Sequence, residues 1–468
     1  MPGLYSSPSE ALGYVSGVTP KRPINADVPE AETKEVEAPT KEAPKPEGMP
    51  APEKSQKAES VAPGPRKPGA PKILAALVAL AVVFIVAAIV FGTGGGDSGS
   101  NEAPAPTPAP VESKPSQSAP AETAEALGYP GFATNNTTRI GGSDPTANAA
   151  GAALAAFPST TPAQRPAAVT IVGEEDWAGA IAAAVLMAEP VRAPILFSGP
   201  DEMPAVSEEA LDALDPQGSA DTGQAALFAV GTVSYPGKAA PVDSGDPAAT
   251  AAQIFNLRER LAATPPKHIV LASGASPDFA MPAAAWAARS GDPVLYAEQK
   301  KLPQPTAALL KAHPKVPVYV LGPSSVISSE VLREVAKVSK SVKRVSGEDP
   351  VANAVAFARY RDGSFGWNIN DPGHGFVLAR SDSPADAAAA APLSASGTWG
   401  PLLLTDDAGA LPQDVRSYLL DLKPGYTTDP TRAFYNHVWV IGDEGAIGLE
   451  QQAEVNELAE LAKIGGGE

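Results

Sequence analysis

The chain contains no cysteine and only four histidines in 468 residues. A disulfide framework, a thiol nucleophile and a thiolate metal site are all excluded, and histidine-based metal or acid–base chemistry has little to draw on. Positive charge is also scarce. The formal net charge is −18, and because residues 1–72 are balanced, the whole deficit falls on the rest of the chain. An acidic globular part lacks the basic footprint that broad nucleic-acid binding requires, so no nucleic-acid partner is expected. Catalytic signatures are missing too: there is no Gly-x-Ser-x-Gly, Ser-x-x-Lys, Gly-x-x-x-x-Gly-Lys or His-Glu-x-x-His. Neither an enzyme nor a cofactor is expected. A glycan hydrolase would need a facing pair of carboxylates, and adjacent acids such as Asp406-Asp407 or Glu174-Glu175 do not supply one.

Proline (51) and glycine (42) are abundant, with much of the proline ahead of residue 125. Residues 1–72 combine Pro, Glu, Lys, Ala and Ser with few aromatics, a composition that buries too little apolar surface to offset ordering entropy. They read as a disordered tail. From Ile73 to Phe91 every residue is apolar, long enough as a helix to cross a bilayer, so 73–92 is assigned as a transmembrane helix. A cleavable signal peptide would not carry so long a segment ahead of its apolar core. Lys54, Lys57, Arg66, Lys67 and Lys72 precede the span, whereas Asp97, Glu102 and Glu112 follow it, which puts the tail in the cytoplasm. Residues 93–124 start with Gly-rich sequence and continue as alternating Pro, a flexible joint followed by a semi-rigid stalk.

The remaining sequence is organised by one recurring stretch. Arg139-Ile140-Gly141-Gly142-Ser143-Asp144-Pro145 returns in the region of Asp246-Pro247 and again as Arg344-Val345-Ser346-Gly347-Glu348-Asp349-Pro350. Each Asp-Pro pair reads as a helix start, with Asp at the N-cap and Pro at the first helical position. Three such starts, about 100 residues apart and each opening an Ala-rich run, define an internal repeat. Continuously apolar strands follow in the same order in each copy: 168–172, 194–197 and 227–231, then 268–272, 293–296 and 318–322, then 375–379, 401–404 and 438–442. Unbroken apolar strands alternating with helices predict parallel sheets covered on both faces. Helices around 328–340 and 450–463 complete the second and third copies, but the first copy passes from Gly231 to Val242 without one. The modules are placed at 125–237, 238–341 and 342–468.

This threefold order resembles the cell-wall-binding repeat type 2 family of bacterial surface proteins. The resemblance rests on the Arg and Gly before the first helix, on Pro194-Ile195-Leu196-Phe197 and its two counterparts, on Met203-Pro204, Leu302-Pro303 and Leu411-Pro412, and on the Gly after each last strand. It implies three tandem Rossmann-like α/β modules in a pseudo-threefold arrangement, non-catalytic and extracellular, contacting a cell-wall polymer such as secondary wall polysaccharide or peptidoglycan. The alternative is an envelope scaffold that binds another surface protein while its cytoplasmic tail recruits a partner. The family's Arg stands at Arg139 and Arg344 but is Pro241 in the second copy, and its Asp survives in the third copy as Asp386. Candidate ligand contacts are therefore Arg139, Asp144, Arg344, Asp349, Asp386 and the basic Lys343. Helix capping also accounts for Asp144, Asp246 and Asp349, and a salt bridge between modules would also account for the arginines. Ligands of parallel sheets gather beyond the carboxyl ends of the strands, which here read Gly173-Glu174-Glu175-Asp176, Ser273-Gly274 and Arg380-Ser381-Asp382.

Overall fold

The computed structural model describes residues 134–464 apart from residue 244. The expected tail at 1–72, membrane span at 73–92 and stalk at 93–124 lie outside the described residues. Among the described residues no helix is long and apolar enough to cross a membrane.

The repeats form three four-stranded sheets in which every strand pair is parallel. The first holds β2 (Val169–Gly173), β3 (Ile195–Ser198), β4 (Leu227–Val230) and β5 (Ala240–Val242), in the order β3-β2-β4-β5. The second repeats that order with β6 (Ile269–Ser273), β7 (Val294–Ala297), β8 (Val318–Leu321) and β9 (Val342–Val345), as β7-β6-β8-β9. The third is built from β10 (Gly375–Arg380), β11 (Leu402–Thr405) and β13 (His437–Ile441), and its fourth strand is β1 (Thr137–Ile140). A small separate ladder pairs β12 (Gly425–Tyr426) with β14 (Ala462–Lys463).

The fourth strands are absent from the sequence reading, which finds three strands per module. All three immediately precede an Asp-Pro helix, are short and carry polar or proline residues, so they lack the apolar run that betrays the inner strands. They also cross the segment boundaries. Strands β5 and β9 complete the sheet of the preceding segment, and β1, at the start of the globular part, completes the last sheet. In register, Arg139 lies beside Val440, Pro241 beside Ala229 and Arg344 beside Val320, so the three positions are equivalent.

The Asp-Pro signal works as read. The carboxylates of Asp144, Asp246 and Asp349 accept from the amides of Ala147, Ala249 and Ala352 at 2.9, 2.9 and 2.8 Å. These caps start α1 (Pro145–Ala156), α4 (Pro247–Ala262) and α9 (Pro350–Arg359). Between the first two strands of each sheet run the Ala-rich helices α2 (Trp177–Ala183), then α5 (Pro277–Ala280) with α6 (Pro282–Ser290), then α10 (Pro384–Ala389) with α11 (Ala391–Ala395). Helices α2, α6 and α10 each touch the other two. Alanine makes this possible: Ala180, Ala283, Ala284, Ala287 and Ala388 are wholly enclosed, and small side chains let three helix backbones meet with little loss of side-chain entropy. The outer helices are α3 (Ala205–Leu214), α7 (Gln304–Ala312), α8 (Ser329–Val338), α12 (Gln413–Asp421) and α13 (Leu449–Ala459). As the sequence implies, no helix stands between β4 and β5.

Candidate functional site

Two clefts stand out, and they lie at different places in the fold. The first, of about 310 Å³, lies beyond the carboxyl ends of the third sheet and is lined by Gly142, Asp144, Asn148, Arg380, Asp382 and Asp386 among others. Two of the six sequence candidates, Asp144 and Asp386, meet here. Asp386, on α10, is only 4% exposed. Its Oδ1 accepts from Asn148 Nδ2 on α1 at 2.9 Å, a contact between the first and last repeats. Burial pushes the Asp386 carboxyl above its usual value, and the nearby charges of Asp144 and Asp382 add to this, against the hydrogen bonds from Asn148 and Ser383. At the rim Arg380 forms a bidentate pair with Asp382, Nε–Oδ1 at 3.0 Å and the second bond at 2.7 Å. That pair holds Asp382 below its usual value. The Asn148 Oδ1 is buried and has no hydrogen-bond partner among the described residues. The cleft therefore offers hydrogen-bonding groups with acidic character and one open acceptor.

Arg139 lies beneath this cleft rather than in it. It is 3% exposed and donates from Nε and both terminal nitrogens: to Gln452 Oε1 at 3.0 and 2.7 Å, to the carbonyls of Gly442 and Asp443 at 2.8 Å each, and to that of Ile447 at 2.7 Å. Desolvation draws the guanidinium below its usual value, with Glu444 and Asp443 opposing. Its work is to satisfy the carbonyls of the turn between β13 and α13. Arg344 does the same in the second sheet, donating to the carbonyls of Gly322 and Ile327. Asp349 caps α9, and Lys343 pairs with Asp362, so Arg344, Asp349 and Lys343 sit away from the Asp386 cleft.

The second cleft, of about 460 Å³, opens at the amino end of β6 and was not anticipated from the sequence. It is lined by His268, Trp286, Asp292, Ser364, Trp367 and Trp399, with Lys267 and Arg289 also on its wall. Asp292 is 2% exposed and accepts three bonds: from the His268 backbone amide at 3.0 Å, His268 Nδ1 at 2.9 Å and Trp286 Nε1 at 3.0 Å. The other imidazole nitrogen, Nε2, lies 3.2 Å from Ser364 Oγ. No local motif announces this set, because Ser364 and Asp292 lie 96 and 24 residues from His268.

Against known proteins, residues 243–332 and 344–451 match the family model Cell wall binding domain 2 (CWB2). The second and third repeats are thus similar to CWB2 modules. Cwp6 from Clostridium difficile is similar with a TM-score of 0.56 and 20% identity, over 69% of this chain and 48% of its own. Cwp8 from the same organism is similar with a TM-score of 0.54 and 20% identity, over 70% of this chain and 52% of its own. At that identity the likeness speaks for the fold alone, and the chain spans only part of either relative. No curated protein matches it. The first repeat lies outside the CWB2 match, yet its sheet has the strand order of the other two.

Proposed function

We propose that this is a membrane-anchored envelope protein whose repeats, outside the cell, hold a cell-wall polymer, secondary wall polysaccharide or peptidoglycan. The observation that carries the reading is the CWB2 match across two of three repeats that share one sheet topology. The apolar run from Ile73 to Phe91 supplies the anchor, and the Pro-rich stretch that follows sets the repeats off from the membrane surface. In this arrangement the modules at 125–237, 238–341 and 342–468 are Rossmann-like units about a pseudo-threefold axis.

The contact surface on this reading includes the cleft around Asn148 and Asp386. A carboxyl group raised by burial donates a hydrogen bond when protonated, and the open Asn148 Oδ1 accepts one. Such a pair suits the hydroxyl and amide groups of a glycan. It suits a densely anionic polymer less well, since Asp144 and Asp382 line the same cleft. Purified cell walls should retain the 125–468 portion at low salt, and walls stripped of their secondary polysaccharide distinguish the two polymers. Passage of the protein through both preparations unretained would remove the reading.

A further inference from the structure

The second cleft contains a serine, a histidine and a buried aspartate in line. We propose that Ser364, His268 and Asp292 form a nucleophilic site that cleaves small acyl esters. The observation is geometric. Asp292 receives both the backbone amide and Nδ1 of the same histidine, which fixes the ring's orientation and keeps the proton on Nδ1. Nε2 then turns its lone pair toward Ser364 Oγ, 3.2 Å away.

The serine is exposed, whereas the parts that hold it are not. Asp362 and Phe365 exchange backbone hydrogen bonds at 2.9 and 3.0 Å, so Ser364 stands on a closed turn. Phe365 is completely buried, stacks on Tyr319 with centroids 3.6 Å apart and meets the His268 ring edge-on at 5.4 Å. The Asp362 carboxylate is held by Tyr319 Oη at 2.7 Å and by Lys343. Trp367 is 6% exposed and its indole N–H is without a partner, and no hydrogen bond is made by the amide of Gly366 among the described residues. Both residues line the same cleft as Ser364.

The cleft also indicates the substrate. Trp286, Trp367 and Trp399 give it apolar walls suited to a small acyl group, and Lys267 and Arg289 favour an anionic alcohol portion. Ser364 Oγ attacks the acyl carbon while His268 Nε2 takes its proton. The C–O bond to the alcohol breaks, and the alcohol leaves with that proton. Water, deprotonated by the same nitrogen, then releases the carboxylic acid and restores the serine. Asp292 is a positioning residue throughout.

The test uses the full chain in detergent with two probes, a fluorophosphonate and p-nitrophenyl acetate, neither of which requires wall polymer. The fluorophosphonate should form one adduct, located by peptide mass at Ser364, in the folded chain and not after unfolding in urea. Ester hydrolysis should fall about 100-fold or more in Ser364→Ala, an exposed change that leaves the core untouched. No adduct, an adduct elsewhere, or equal hydrolysis by the wild type and Ser364→Ala would each overturn the proposal.

Discussion

The joint at Arg139 and the joint at Pro241 occupy the same register in equivalent sheets, yet one is a buried cation and the other an exposed proline. The difference follows from what comes after the neighbouring strand. In the third sheet β13 runs into a tight turn and then α13, and that turn presents the carbonyls of Gly442, Asp443 and Ile447 to the interior. Buried carbonyls need donors, and a guanidinium offers five in a fixed fork. In the second sheet β8 runs into α8 through a similar turn, and Arg344 supplies Gly322 and Ile327. In the first sheet β4 passes to β5 with no helix between. With no helix-bound turn to satisfy, the position has no use for an arginine, and proline fits the edge strand. The arginine is tied to that helix rather than to a ligand shared by all three repeats.

The comparison can be broken most sharply at Arg139. Arg139→Ala leaves several buried carbonyls and Gln452 without a donor, and is expected to cost about 3–5 kcal/mol of unfolding free energy. Urea unfolding followed by tryptophan fluorescence reads this, and a loss under about 1 kcal/mol would sever the arginine from the turn. Arg344→Ala removes fewer bonds from a half-buried group, so a loss of about 1.5–3 kcal/mol is expected in the same measurement. The caps come next. Asp246→Ala and Asp349→Ala should each cost about 1 kcal/mol, showing that the repeat's shared signal is helix initiation at every joint. Pro241→Arg sharpens the contrast from the other side, with a change within about 1 kcal/mol because no carbonyls await it.

Asp386 gives a prediction in pH rather than size. Its folded-state value is raised above the usual one, so its contribution to stability is fully present below the unfolded value and is lost as pH rises through the folded one. Asp386→Asn removes that titration. The variant should therefore gain on the wild type as pH rises from acid toward neutral, and the gap should close again in acid. A gap independent of pH, measured by urea midpoints across that range, would mean the carboxyl does not titrate as its burial requires.

Much of the architecture was legible because it is local. Continuous apolar runs marked the inner strands, Asp-Pro marked the helix starts, and the short passage from Gly231 to Val242 marked the missing helix between β4 and β5. The outer strands were not legible. Strand β5 consists of Ala, Pro and Val, and β9 reads Val-Lys-Arg-Val, so their identity comes from an edge to pair with rather than from composition. Of the site residues, Asp386 was visible through the family pattern, but its partner Asn148 lies 238 residues away and reads as an ordinary helical residue. His268 looked like one residue of a strand start. Its carboxylate and its serine are brought to it by two different elements.

By itself, then, the sequence determined the repeat, the order of its strands and helices and where each helix begins, because those depend on spacing and on capping atoms a few residues apart. The tertiary structure alone decided that β1 closes the last sheet. It also decided that Arg139 is a structural donor, and that His268 faces both Asp292 and Ser364. Each of these pairs groups far apart along the chain, and no local rule records which distant carbonyl, carboxylate or hydroxyl a side chain will meet.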